Sequence, residues 1–523
     1  MKERVALFGA SGTMGHQALQ ELWRRRDRYD LVLLLRPSAK NQKLLAPYVR
    51  EAGIGPGSGE GVARGEGLTI VWGDATRYVD VAEAVQGVDW VLDAMAFISP
   101  QADYYPEMAK AVNTQAIEHI VRAIEAQPGG AERIRLIYTG TVAATGDRLA
   151  QIHMGRVGDP LKPSIFDYYA VTKIAGERAV LESNLRHWAS LRMTYIMPTD
   201  YQDYASLVDP ILFHQPLATR MENLSDRDAG YGLVNALEIS TGSDFWRRVY
   251  NMGGGPGMRC TAYEYMNRTF QELGLSGLEA CTERRWFALR NFHMQYYEDS
   301  AVLNGYLHHW RDSLDDYWTA LRASMPRGIR LVSLLARLVP LVHRQVEKST
   351  YRRLRPLATD HRNGTAHWYQ KGNESRITAF YKDRATYESI PDWAVEIPTP
   401  AADAEWVHLD HGYDESKGHL ELDDLRQAAA FRGGQCLAEA WDGDWYTTLR
   451  WRCAVDHEFA AKPYTVLKAG HWCPVCAAPP WTYDEEARRS PFFAQVWAPN
   501  HDPDEDHCYP EELCQDIAGA DKD

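Results

Sequence analysis

Along the first hundred residues, short unbroken apolar runs alternate with stretches whose apolar positions recur at helical spacing. Arg4-Val5-Ala6-Leu7-Phe8-Gly9 reads as a buried strand, Gln17 to Arg25 as a helix, and Leu31 to Leu35 as a second strand. Leu68 to Trp72 is a third strand, Val79 to Val85 a helix and Trp90 to Asp93 a fourth strand. Runs apolar at every position suit strands covered on both faces, and repeated βα units predict a parallel, doubly wound sheet of the α/β Rossmann kind.

Between the first strand and its helix lies Gly9-Ala10-Ser11-Gly12-Thr13-Met14-Gly15. Strand, glycine turn and helix in that order form the dinucleotide fingerprint. The first glycine allows the tight turn, the second lets backbone approach a pyrophosphate, and the third permits close packing at the positive end of the helix. Gly9, Ser11, Gly12, Thr13, Met14 and Gly15 are therefore the expected phosphate cradle. Arg36 ends the second strand twenty-one residues past Gly15, where an acid would hold the ribose of NAD. Arginine there suits the 2′-phosphate of NADP, so NADP is the expected cofactor and NAD the alternative.

Further along, Tyr169 and Lys173 stand four apart on a helical pattern and so share a face. A nearby ammonium favours the phenolate and lowers the phenol pKa from about 10, which lets tyrosine pass a proton as a hydride moves to or from a carbonyl or alcohol carbon. Tyr168 is the rival, but its partner at that spacing is the uncharged Thr172.

With these motifs in place, the chain resembles the extended short-chain dehydrogenase/reductase family, which includes sugar-nucleotide epimerases and dehydratases and 3β-hydroxysteroid dehydrogenases. The match covers about residues 1 to 280. It rests on the glycine motif, Gly73-Asp74 after the third strand, Val112-Asn113-Thr114, Ile137-Tyr138-Thr139-Gly140-Thr141, Tyr169 with Lys173, and Val249-Tyr250-Asn251-Met252-Gly253-Gly254-Gly255. The resemblance implies Tyr169 as general acid/base and Lys173 as both its tuner and a holder of the nicotinamide ribose. Thr141 would hydrogen-bond the reacting oxygen, with Thr139 as competitor, Asn113 would be the fourth catalytic residue, and Asp74 would meet adenine. It also implies a homodimer. Two departures weaken a sugar-nucleotide assignment. Tyr195-Ile196-Met197-Pro198 lacks the glycine of the family's tyrosine-glycine-proline turn, and Asp93-Ala94-Met95 lacks a common histidine.

The pattern changes beyond residue 280. Aromatics crowd residues 284 to 321, among them Trp286, Phe287, Tyr296, Tyr297, Trp310, Tyr317 and Trp318. They suit either an apolar substrate site or the core of a helical extension. Residues 327 to 355 interleave eight Arg and Lys with leucines and valines against one acid, Glu347. Such a basic amphipathic segment, broken at Pro340, either packs on the domain with its charges solvated or lies on an anionic membrane surface.

Six of the eight cysteines fall in the last ninety residues. Cys453 and His457 are followed by Cys473-Pro474-Val475-Cys476, two short-loop pairs separated by a hairpin-length segment, which is the donor set of a closed structural zinc site. The surrounding sequence resembles small zinc ribbons, with Cys436 as the alternative fourth ligand. The expected organisation is a dinucleotide-binding domain at 1–280, a helical and aromatic cover at 281–425, a zinc ribbon at 426–480 and an acidic tail at 481–523.

Composition narrows the partners. A formal charge of −14, from 57 basic and 71 acidic side chains, argues against nucleic acid as the main partner. The chain enters a strand directly after Met1-Lys2-Glu3, with no apolar stretch for a secretory signal, and cytoplasmic residence is expected. The expected activity is alcohol–ketone interconversion on a bulky, apolar small molecule, with a sugar-nucleotide epimerase or dehydratase as the alternative.

Overall fold

A computed structural model describes residues 2–55, 59–148, 154–395, 397 and 406–514. The strands are β1 (Glu3–Phe8), β2 (Tyr29–Leu35), β3 (Gly61–Gly65), β4 (Leu68–Trp72), β5 (Trp90–Asp93), β6 (Arg135–Thr141), β7 (His187–Met193), β8 (Tyr195–Met197), β9 (Arg220–Ser225), β10 (Arg248–Met252), β11 (Arg259–Thr261), β12 (Gln435–Cys436), β13 (Leu449–Arg452) and β14 (Glu458–Ala461). Eight of them form one sheet in the order β10-β7-β6-β5-β1-β2-β4-β3. All its pairings are parallel except that of edge strand β3 with β4.

The apolar runs cover both faces, as period-two geometry requires. Val5 and Leu7 of β1, with Leu31, Leu33 and Leu35 of β2, enter one core. The alternate positions Ala6, Phe8, Val32 and Leu34 enter the opposite core. Chain order reverses beside β1, whose neighbours are β2 and β5, and in an open α/β sheet the crevice outside the strand ends at that point is the ligand site. The loops that follow β1 and β5 meet there.

The expected domain borders do not coincide with borders between cores. Leu303 and Leu307, from the expected cover, complete the first sheet core. Ala469, with Tyr446 and Tyr464 packed against it, joins the second. The acidic tail expected from 481 is folded structure, because its aromatics have apolar partners elsewhere. Trp481, Tyr483, Phe493, Trp497 and Tyr509 share a core with Ile165, Phe166, Tyr168 and Trp368. Residues 515–523 of that expected tail lie outside the described residues.

Four of the aromatics of 284–321 pack chiefly on residues outside that stretch. Trp286, Phe287, Tyr317 and Trp318 are buried in a core shared with Met197, Phe213 and Tyr265, and Tyr265 stacks on Trp318 at 5.7 Å between ring centroids. Of the two expectations for these residues, this arrangement matches the core.

Candidate functional site

The glycine loop closes tightly on its surroundings. Gly9 has φ +80°, and a Cβ there would lie 2.6 Å from the Ala94 carbonyl oxygen in the loop after β5. A Cβ on Gly15 would lie 2.0 Å from the Gly9 oxygen, so no side chain fits at either position without moving backbone. The helix Thr13–Arg24 starts immediately after this turn, and its first intrahelical bond runs from His16 N to Gly12 O (2.8 Å). The amides of Thr13 and Met14 precede that bond and are free to meet an anion. Ser11 stands half-buried in the same turn.

Arg36 follows β2 directly, with its side chain exposed and its carbonyl oxygen accepting from Asn41 Nδ2 (2.8 Å). Asp74 follows β4, where its Oδ1 accepts from Thr76 N (2.9 Å) and Thr76 Oγ1 (2.8 Å). Asp74 is thus a turn-forming aspartate with one oxygen already engaged.

Tyr169 lies in the first turn of the helix Tyr168–Leu181, which Asp167 caps by accepting from Ala170 N (2.8 Å). Its phenol faces the Thr141 hydroxyl at the end of β6, which pulls its pKa downward. Thr141 Oγ1 also accepts from Ala143 N (3.1 Å), which fixes the hydroxyl. Lys173, one turn on, is 2% exposed, and its Nζ lies 4.2 Å from the centre of the Tyr138 ring. Tyr169, Thr141 and Lys173 therefore converge where the carboxyl ends of β5 and β6 meet this helix.

The electrostatics differ from expectation. Burial pushes the Tyr169 phenol up to about 12, against the pull of the Thr141 hydroxyl, and Asp167 raises it further. Lys173 does not lower it. Burial brings the lysine down to about 8, and the charges acting on it are the carboxylates of Asp93 and Glu177. Asp93, buried at the end of β5, is itself raised to about 6 by desolvation, with Lys173 opposing. The charges that act on the buried lysine are thus those of two acids, Asp93 and Glu177.

Asn113 is buried, and its carboxamide is engaged on both sides. Its Oδ1 accepts from Phe97 N (2.7 Å), and its Nδ2 donates to Phe97 O (3.0 Å) and Thr172 Oγ1 (3.0 Å). The carboxamide, in the π-helical turn Ala111–Gln115, ties the loop after β5 to the tyrosine helix.

One candidate side chain escaped the sequence reading. Arg220 at the start of β9 is 4% exposed, and none of its three guanidinium nitrogens has a hydrogen-bond partner. Two rings accompany it among the described residues, Trp406 at 4.9 Å and Tyr296 at 5.6 Å. A buried charge without a counter-ion is costly and fits a site that receives an anionic group. The neighbouring backbone bonds Gly155, in the segment that leads to the tyrosine helix, through Gly155 N to Tyr296 O (2.8 Å).

The second cluster is Cys453, His457, Cys473 and Cys476, whose ligand atoms all lie within 4.8 Å of one another. Cys453 Sγ is 3.9 Å from Cys476 Sγ, and His457 Nδ1 is 3.6 Å from Cys473 Sγ and 3.4 Å from Cys476 Sγ. A tetrahedral zinc requires about 3.8 Å between two sulfurs and about 3.6 Å between sulfur and nitrogen, from its usual bond lengths. The four residues therefore fit zinc. Cys436 is buried in β12, packed with Leu425 and Trp451, outside this set.

This module grips the tyrosine helix. Arg178 donates to Trp472 O (3.0 Å) and Ala460 O (3.1 Å), and Lys462 Nζ donates to Leu181 O (2.9 Å) and Ser183 O (2.6 Å) at the helix end. Inside the contact, Glu177 accepts from Ser190 Oγ (2.6 Å) and Arg192 Nη2 (2.7 Å), and pairs with His471 Nε2 (2.9 Å).

Residues 5–201 match the model of the NAD dependent epimerase/dehydratase family. No curated protein matches the chain. Similar solved structures include a short-chain dehydrogenase/reductase superfamily protein from Agrobacterium tumefaciens with bound NAD (17% identity, 63% of this chain and 98% of that one, TM-score 0.45). A dTDP-glucose 4,6-dehydratase from Streptomyces venezuelae with NAD bound gives 18% identity over 61% and 96%, with TM-score 0.44. A UDP-N-acetylglucosamine 4-epimerase from Bacillus cereus gives 16% identity over 62% and 98%, with TM-score 0.40. The segment that matches the NAD dependent epimerase/dehydratase family model, residues 5–201, carries the glycine loop, strands β1 to β8 and the Tyr169–Lys173 helix.

Proposed function

We propose that this chain is an NAD(P)-dependent oxidoreductase that interconverts an alcohol and a ketone, with Tyr169 as the proton donor and acceptor. The observation that carries this reading is the Tyr169 phenol facing the fixed Thr141 hydroxyl, with the Lys173 ammonium buried one turn away. Gly9 and Gly15 leave a cradle that a Cβ would fill, and Arg36 stands free at the end of β2, so the residues present fit NADP. When bound, NADP would supply or accept the hydride. In the reducing direction, Tyr169 Oη gives its proton to the substrate carbonyl oxygen while Thr141 Oγ1 holds that oxygen. In the oxidising direction the phenol oxygen takes the proton back. The depressed pKa of Lys173 lets that group pass protons near neutral pH.

Arg220 favours a second reading, a sugar-nucleotide epimerase or dehydratase, because its uncompensated charge would be met by a diphosphate. The two readings separate in one assay. Oxidation of added NADPH with a steroid or terpenoid ketone supports the first. Conversion of a sugar nucleotide with no net change in added cofactor supports the second. The role proposed for the Cys453, His457, Cys473 and Cys476 cluster is a structural zinc that braces the tyrosine helix.

A further inference from the structure

Arg327–Leu338 and Pro340–Thr359 form a helical hairpin, with Pro340 at the first position of the second helix. A surface helix ordinarily buries its apolar stripe and exposes its charges. Here the first helix leaves its apolar stripe uncovered along with its charges. Only Ser333 and Ala336 are buried on it, and it is fastened by Ser333 Oγ donating to Glu272 O (3.3 Å) and Arg337 Nη2 donating to Glu272 O (3.0 Å). Its leucines face outward, with Leu331 at 56%, Leu334 at 53%, Leu338 at 69% and, across the turn, Leu341 at 78% exposure.

Of the exposed large apolar side chains among the described residues, seven fall between 331 and 341, whereas the others are scattered. A contiguous patch of that kind marks an interaction surface. It is rimmed by charge of one sign. Arg327, Arg330, Arg337, Arg344, Lys348, Arg352, Arg353 and Arg355 are all exposed. The nearby acids are already paired. Glu347 accepts from Ser276 N (3.0 Å) and meets His343 (2.9 Å), and buried Glu272 holds Arg268 and Arg322 (both 2.7 Å).

We infer that this hairpin is a docking surface for an anionic lipid membrane, on which the protein lies without crossing it. The apolar stripe would enter the headgroup boundary while the basic rim meets lipid phosphates. A helix of 12 residues is about 18 Å long, short of the roughly 30 Å of hydrocarbon, and no described helix is long and apolar enough to span. Charge separates this occupant from a second copy of the chain, since two such faces would bring like-charged rims together with no free acid between them.

The test is co-sedimentation of the full chain with vesicles of phosphatidylcholine alone and of phosphatidylcholine mixed with phosphatidylglycerol. The expected result is salt-sensitive binding to the mixed vesicles only. Leu334→Glu with Leu338→Glu should abolish it, and Arg344→Gln, Lys348→Gln and Arg352→Gln should each weaken it about fivefold, the equivalent of about 1 kcal/mol per basic residue. Unchanged circular dichroism and melting would show that the variants are folded. Absence of sedimentation, or equal sedimentation with both vesicle types, would overturn the inference. So would a dimer that Leu338→Glu splits while vesicles bind nothing, which would make the face an interface between copies.

Discussion

Replacing Glu177 by leucine leaves the Arg192 guanidinium buried with no counter-ion, between the tyrosine helix and the module that carries the Cys453–Cys476 cluster. The Arg192 and Glu177 side chains are 1% and 3% exposed. Glu177 is met by Ser190 Oγ, by Nε and Nη2 of Arg192 and by His471 Nε2, all between 2.6 and 3.2 Å. Breaking one side of such a buried pair costs about 3–5 kcal/mol, because the remaining charge keeps its desolvation penalty. Removing both sides with Glu177→Leu and Arg192→Met should cost no more than about 2 kcal/mol, mostly from unpairing the Ala469 carbonyl and His471. The assay is a double-mutant cycle from urea unfolding followed by tryptophan fluorescence. If either single variant costs less than about 1 kcal/mol, or the double variant costs the sum of the two, the reasoning fails.

Arg36→Ala should weaken NADPH binding at least tenfold and leave NADH binding unchanged, as read by titration of cofactor fluorescence; equal losses for both would remove the 2′-phosphate role. Cys473→Ser should release one equivalent of zinc, measured by elemental analysis, and lower the melting temperature together with turnover, because the module braces the helix of Tyr169. Buried Lys173 titrates at about 8 when folded against 10.5 ordinarily, so the unfolded chain binds the extra proton between those values and the lysine's contribution to stability rises with pH across that window. Lys173→Met should accordingly stabilise the fold by up to about 3 kcal/mol at pH 7, at 1.36 kcal/mol per pKa unit, and by much less at pH 10, checked by denaturation at both values.

Features set by local chemistry were legible in the sequence. The turn Gly9 to Gly15 needs glycine for reasons that involve only its neighbours and the next loop. Tyr169 and Lys173 share a helical face by spacing alone, and the two ligand pairs of the metal cluster each sit in one short turn. What burial decides was not legible. The electrostatic partners of Lys173 are Asp93 and Glu177, and the first is far away in the chain. The isolation of Arg220 depends on what fails to reach it. Trp481 meets Phe166 at 5.7 Å across more than three hundred residues, so the last segment read as a polar tail. Edge strand β3, Gly61–Gly65, carries little apolar alternation and owes its pairing to β4. The exposure of the leucines on Arg327–Leu338 follows from two small residues, Ser333 and Ala336, that fit where leucine would not.

The central claim, proton transfer by Tyr169 in an NAD(P)-dependent hydride reaction, is tested most directly by NADPH oxidation with wild type and Tyr169→Phe across steroid, terpenoid and sugar-nucleotide ketones. The account predicts turnover of at least one substrate by wild type. It also predicts a fall in kcat of about 10²–10⁴ in the variant with NADPH affinity unchanged. Full turnover by Tyr169→Phe would contradict it.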